Sequence, residues 1–222
     1  MALRHVRGTK EEELTMATAQ SERRGLLRFG IGLECVSIAW MLVEGGVGIA
    51  SGIAAHSLAL EAFGIDSLLE LVSAGVVLWW LLLTARGADP ERTHNANERA
   101  ERIVGSGLLL LAVYVLIGAI FQLAQHSAPA SSVPGLILAV VAAVVMPVLF
   151  LLKRRNAERL DSDAMRGDAY ESLTCGWMAW ALLVGLALRR LFGWWWADPV
   201  TALVLVPLLV REGWEGIHEW FQ

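Results

Sequence analysis

Asp66 and Glu70 stand four residues apart inside an apolar run, Ala54–Leu83, that is long enough to cross a bilayer. On a helix that spacing puts both side chains on one face, one turn apart. A carboxylate at the bilayer centre costs about 2.5–3.5 kcal/mol on translocon-type scales. Two of them persist together only where something compensates, and the candidates are a bound cation, a proton, or a partner on another helix. The remaining elements must supply whatever faces this pair.

The fifth apolar segment, about 168–188, carries the best counterpart. At 100° per residue Asp168, Glu171, Ser172 and Cys175 share one side of a helix. The local wording repeats as well. Asp66-Ser67-Leu68-Leu69-Glu70 is acid-Ser-Leu-x-donor, and Glu171-Ser172-Leu173-Thr174-Cys175 is the same pattern. Two facing helices that each offer a pair of donors four apart can build a tetrahedral divalent-cation site. Asp66, Glu70, Glu171 and Cys175 are therefore the candidate ligands. Carboxylates with a thiolate suit a borderline ion such as zinc, and the sulfur argues against magnesium or calcium. Asp168 is a reserve donor or an orienter of the ligands, so the fourth corner is open between sulfur, Asp168 and water. Glu44, on the first apolar segment with Glu34 and Ser37 on one side of its helix, is either a proton-relay group or a structural hydrogen-bond partner.

The elements that must hold these groups are helices. In 222 residues, 56% are hydrophobic and mean hydropathy is +0.54, too apolar for an ordinary soluble domain. Charges gather in short stretches between apolar ones, which predicts an all-α polytopic membrane protein with six transmembrane helices. The expected spans are about 26–53, 54–83, 103–123, 133–152, 168–188 and 198–210. The polar loops between the second and third spans (86–102, with Asp89-Pro90 as a turn) and between the fourth and fifth (153–167) carry basic residues, Lys153-Arg154-Arg155 among them. The loop 127–134, rich in Ala, Ser and Pro, carries none. All of the 18 Lys and Arg except Arg189 and Arg190 fall on one side of this layout, which predicts that both termini are cytoplasmic. The division that follows is a poorly ordered cytoplasmic tail (1–25), a transport domain (26–212) and a short cytoplasmic tail (213–222). The polar N-terminus is not expected to be a signal peptide. Cys35 and Cys175 lie in apolar runs and give no disulfide framework. Gly45, Gly46, Gly48, Ala50, Ser51 and Gly52 predict a close helix crossing.

The layout, with paired donors in the second and fifth helices, resembles the cation diffusion facilitator family of divalent-metal/proton antiporters. The wording is similar to a short bacterial branch of that family in Phe63-Gly64-Ile65-Asp66-Ser67-Leu68-Leu69-Glu70, in Asp168-Ala169-Tyr170-Glu171 to Cys175, and in Gly193-Trp194-Trp195-Trp196-Ala197-Asp198-Pro199 before the sixth helix. The resemblance implies efflux of a divalent transition metal, zinc first and cadmium or cobalt next, by alternating access in exchange for protons. It further implies a homodimer in the bacterial inner membrane, with the lipid bilayer, the metal and protons as partners. Two departures stand out. The family's usual fifth-helix pair is His or Asp followed four residues later by Asp, where this chain has Glu171 and Cys175. The family's cytoplasmic metal-binding domain after the sixth helix is not expected here.

No nucleophile–base pair and no phosphate-binding glycine loop appears, so an enzyme is not expected, nor a prosthetic group, nor nucleic-acid binding. Two competing readings are a non-transporting membrane assembly protein with internally paired acids, and a proton-coupled organic-cation transporter with Trp40, Trp177 and Trp180 lining its cavity.

Overall fold

A computed structural model describes residues 2–87, 91–126, 130 and 132–218, with side chains left undescribed for 2–17, 19, 91–101, 216 and 218. Its six helices are α1 (Ala2–Ala55), α2 (Leu58–Ala85), α3 (Glu91–Gln125), α4 (Val133–Leu160), α5 (Asp163–Phe192) and α6 (Ala197–His218), and no strand occurs among the described residues. Consecutive α1 and α2 pack together, as do α4 and α5, while α3 pairs with α6. The two hairpins meet through α1 on α4 and α2 on α5. α2 is the hub, touching α1, α3, α5 and α6.

The protein is an all-α polytopic membrane protein, as its composition requires. Each helix turns large apolar side chains outward, for example Val36, Val72, Ile117, Val144, Trp177 and Val204. In water such a surface would be a severe liability, whereas in lipid it is the normal exterior. Among the described residues, five helical stretches are long and apolar enough to span a membrane: Gln20–Ala55, α2, Arg102–Gln125, α4 and α5. α6 falls short because Asp198, Arg211, Glu212 and Glu215 crowd its two ends.

Four boundaries differ from the sequence expectation, the first being the polar loop expected over 86–102, most of which is taken up by α3 from Glu91. The N-terminal residues expected to form a poorly ordered tail continue α1 from Ala2, since Ala, Leu, Glu, Lys and Arg favour helix and no proline interrupts them. The polar loop expected over 153–167 shrinks to Asp161 and Ser162, because α4 runs on to Leu160. Asp161 takes the left-handed conformation that ends α4, and Ser162 caps α5 by accepting a bond from Met165 N. α6 continues to His218, past the expected end of the transport domain. The Asp89-Pro90 turn and most of the loop 127–134 lie outside the described residues.

The small residues of α1 do what their size allows. A Cβ on Gly64 of α2 would stand 2.6 Å from Ile49 N and 2.9 Å from Gly48 C, so backbone meets backbone at this crossing. Gly64 is two residues from Asp66, so the crossing also sets where the acid points. Replacing Gly64 by Ala is expected to lower thermal stability by about 1–3 kcal/mol, the usual cost of overpacking. An unchanged melting temperature in detergent would contradict the crossing.

The start of α2 is fixed from α6. Ser57 caps α2 and donates its hydroxyl to Asp198 Oδ1, while Asp198 Oδ2 accepts from Leu58 N at 3.0 Å. A buried carboxylate against the first turn of a helix satisfies otherwise unpaired N–H groups and complements the helix dipole. The Ala-Asp-Pro segment thus anchors the helix that carries Asp66 and Glu70.

Candidate metal centre

Asp66 and Glu70 leave the buried face of α2 one turn apart, toward Cys175 on α5. One ligand atom from each of the three lies within 4.8 Å of the other two, and all three side chains are buried. Asp66 and Cys175 have no exposed surface and Glu70 keeps 3%. None of the four carboxylate oxygens of Asp66 and Glu70 has a hydrogen-bond partner. Cys175 is a free thiol. Buried carboxylates are normally paired, and unpaired ones are costly. Two acids with unbonded oxygens converging on a thiol form a donor set that suits a cation.

The neighbouring sequence explains the convergence. Ser67 donates to Phe63 O at 3.0 Å and Ser172 donates to Asp168 O at 3.2 Å, each bonding four residues back along its own helix. The serines of the repeated pattern are thereby occupied, and only the acids and the thiol face the gap. Gly176, next to Cys175, leaves room for α4: a Cβ there would meet Pro147 Cδ at 3.3 Å and Met146 Cβ at 3.4 Å.

Of the four ligands expected from the sequence, three come together and Glu171 does not join them. Glu171 is half-buried, beside Ser73 of α2 and within electrostatic reach of Asp168 and Glu212. One turn of α5 separates it from Cys175, which places it at the edge of the cluster. Glu44 of α1 is fully buried near Ser67 and Trp40, with neither oxygen hydrogen-bonded, and its charge acts on Asp66, Glu70 and Cys175.

Asp168, expected as a reserve donor or an orienter, is engaged away from the cluster. Its Oδ2 lies 2.6 Å from Lys153 Nζ, and the same ammonium lies 3.2 Å from Glu34 Oε2. Lys153, expected in a cytoplasmic loop, is instead fully buried in α4. α4 continues as helix past its apolar stretch, and the turn that carries Lys153 faces α1 and α5 rather than water.

Glu212 of α6 escaped the sequence reading. Its charge acts on Asp66, Glu70, Glu171 and Cys175, and it lies beside Thr174 of α5. The helical period held the signal: Glu212 follows the buried Leu205 by seven residues and the buried Leu209 by three, on the same stripe. Of the three tryptophans an organic-cation cavity would use, Trp177 and Trp180 are 63% and 50% exposed on the outer surface, while Trp40 is half-buried beside Glu44.

Residues 35–221 match the cation efflux transmembrane domain. Among curated relatives, the manganese efflux system protein MneS of Bacillus subtilis is 26% identical over 207 residues, covering 89% of this chain and 69% of that protein. An uncharacterized transporter of Synechocystis is 28% identical over 171 residues, covering 76% of this chain and 55% of the relative. The magnetosome protein MamB of Paramagnetospirillum magneticum is 26% identical over 183 residues, covering 81% and 60%. The chain thus spans between 55% and 69% of these relatives' lengths.

Proposed function

Because the chain belongs to the cation efflux family, a family of membrane transporters, we propose that it exports a divalent transition metal from the cytoplasm through the buried cluster of Asp66, Glu70 and Cys175. The observation that carries this is the meeting of three unpaired ligand groups from α2 and α5 within 4.8 Å. Glu171, one turn along α5, or a water completes the coordination. Zinc is the favoured cargo and cadmium or cobalt the next, because a thiolate beside carboxylates selects a borderline or soft ion. The manganese named for MneS suits carboxylates alone, so Cys175 is the residue that separates the two preferences.

Carboxylates and a thiol bind metal only when deprotonated, so metal and protons compete for the cluster. Open to the cytoplasm, the cluster exchanges protons for metal; open to the other side, protons displace the metal. Alternating access then couples efflux to proton entry, with no covalent chemistry. Basic residues concentrate on one side, which supports a cytoplasmic location for both termini in the inner membrane. Assembly as a homodimer rests on the family.

Zinc, cadmium and manganese uptake by proteoliposomes, recorded with internal pH, tests the reading. Uptake with no proton counterflow would overturn the antiport, and no uptake of any of the three, nor of cobalt, would overturn the export. Cys175→Ser is expected to lower zinc and cadmium uptake by about tenfold while sparing manganese, following ligand softness. Equal loss for all three ions would deny sulfur a part in selection. Glu212→Gln is expected to weaken zinc affinity by about tenfold, the lower end for groups that tune ligands without coordinating. Calorimetry in detergent reads this directly, and unchanged affinity would leave Glu212 a packing residue.

A further inference from the structure

The Glu34–Lys153–Asp168 group lies outside the cluster and is built from three different helices, α1, α4 and α5. All three side chains are buried, with Asp168 the most exposed at 2%. Two carboxylates share one ammonium: Lys153 Nζ is 2.6 Å from Asp168 Oδ2 and 3.2 Å from Glu34 Oε2. The outer oxygens, Glu34 Oε1 and Asp168 Oδ1, have no well-aligned hydrogen-bond partner, and the two carboxyl groups lie close enough to act on each other directly. A pair of inward carboxylates from facing helices around a compact positive charge has the donor chemistry of a divalent-cation site. Here the cation is covalently tethered.

The position of the group gives the tether a purpose. Asp168, Glu171 and Cys175 share one side of α5, and the charges of Asp168 and Lys153 both act on Glu171. Without the ammonium, acids would run without a break from Glu34 through Asp168 and Glu171 to the metal cluster. A lysine is suited to fill such a place, being a point charge on a flexible stem, whereas an arginine fork demands more room.

We propose that Lys153 is a resident cation occupying a second acidic site, made by Glu34 and Asp168, which keeps a diffusible metal ion out of it and holds Asp168 away from the Asp66–Glu70–Cys175 cluster. Lys153 is in this sense a positioning residue. It fixes which acids the cargo can reach and limits the chain to one ion at a time.

The test uses the full chain in detergent with Asp66→Asn and Glu70→Gln in place, so its outcome does not depend on whether the cluster itself binds metal. Zinc and manganese binding are measured by calorimetry. Adding Lys153→Met is expected to create binding of one further ion per chain, and adding Glu34→Gln to that variant is expected to abolish it. Lys153→Arg in the same background is expected to add none. A folded Lys153→Met variant that gains no ion would overturn the proposal, as would a gain that Glu34→Gln leaves intact. If Lys153→Met is recovered only in small yield, zinc or manganese added during solubilisation becomes the readout. Yield that rises with metal, and does so only while Glu34 is present, supports the second site; yield indifferent to metal overturns it.

Discussion

Asp66→Asn is expected to abolish metal-dependent uptake and, in the same protein, to raise the melting temperature of the metal-free chain. The two effects come from one cause. Without metal, Asp66 and Glu70 are buried acids whose oxygens make no hydrogen bond, and the charges of Glu44, Glu171 and Glu212 act on the same pair. An asparagine amide at position 66 brings two donors into that gap, where its acceptor neighbours are unsatisfied. Satisfying one buried acceptor is worth about 1 kcal/mol, so the metal-free variant gains on that order. The metal-bound comparison runs the other way. A ligand present at a hundredfold excess over its dissociation constant stabilises the native chain by about 2.7 kcal/mol. The variant loses that increment along with a ligand. Affinity should fall by more than about 100-fold, beyond what the loss of a group that merely tunes a ligand produces. Scanning calorimetry with and without zinc separates the two terms. A variant that is destabilised without metal and still shifts upward on adding zinc would mean that Asp66 is a structural acid with a partner, and the cluster would not be the transport site.

The opposition between stability and function also explains which parts of the site were legible from the residues. Asp66 and Glu70 announce themselves because they violate the apolar rule of their own segment. Cys175 was found by repetition, since its spacing from Glu171 copies the spacing of Glu70 from Asp66. Glu171 followed from the same repetition yet stands at the edge of the cluster, because equal spacing along two helices does not fix how far one slides past the other. Lys153 was hidden by its context. A Lys-Arg-Arg run after an apolar segment reads as the membrane boundary, and Arg154 of that run does reach out to Glu158 on the surface. Only the third dimension shows that the first of the three residues turns inward to Glu34 and Asp168. Glu212 was masked in the same way by its neighbours Arg211 and Gly213, although its place on the buried stripe of α6 was available. The helices themselves were readable in number and order, and their ends were not. Hydropathy marks where lipid stops, whereas α4 and α5 carry on as helix until capping residues such as Asp161 and Ser162 end them.

Lys153→Met is expected to be strongly destabilising. Removing one partner of a buried ion pair costs about 3–5 kcal/mol, because the remaining charge is left in a low-dielectric interior. Here two carboxylates are left, in a domain whose whole margin is of the order of 5–15 kcal/mol. The attraction between the two hairpins at this point would turn into repulsion between α1 and α5, and the α1–α4 contact would be the first to loosen. The cost is one of uncompensated charge rather than of lost volume, since methionine matches the lysine stem closely. The triple variant Glu34→Gln, Lys153→Met, Asp168→Asn removes both signs together and is expected to fall within about 2 kcal/mol of the native chain, on either side, because replacing a whole buried ionic group is often neutral or stabilising. Thermal unfolding of the two variants decides between charge and shape. If the triple variant is as unstable as the single one, the residues matter for their packing. If it recovers stability and still binds one zinc at the cluster with native affinity, the three charges are not required for holding the cargo. Their role is then the one their geometry suits, keeping an acidic gap closed to everything except the lysine built into it.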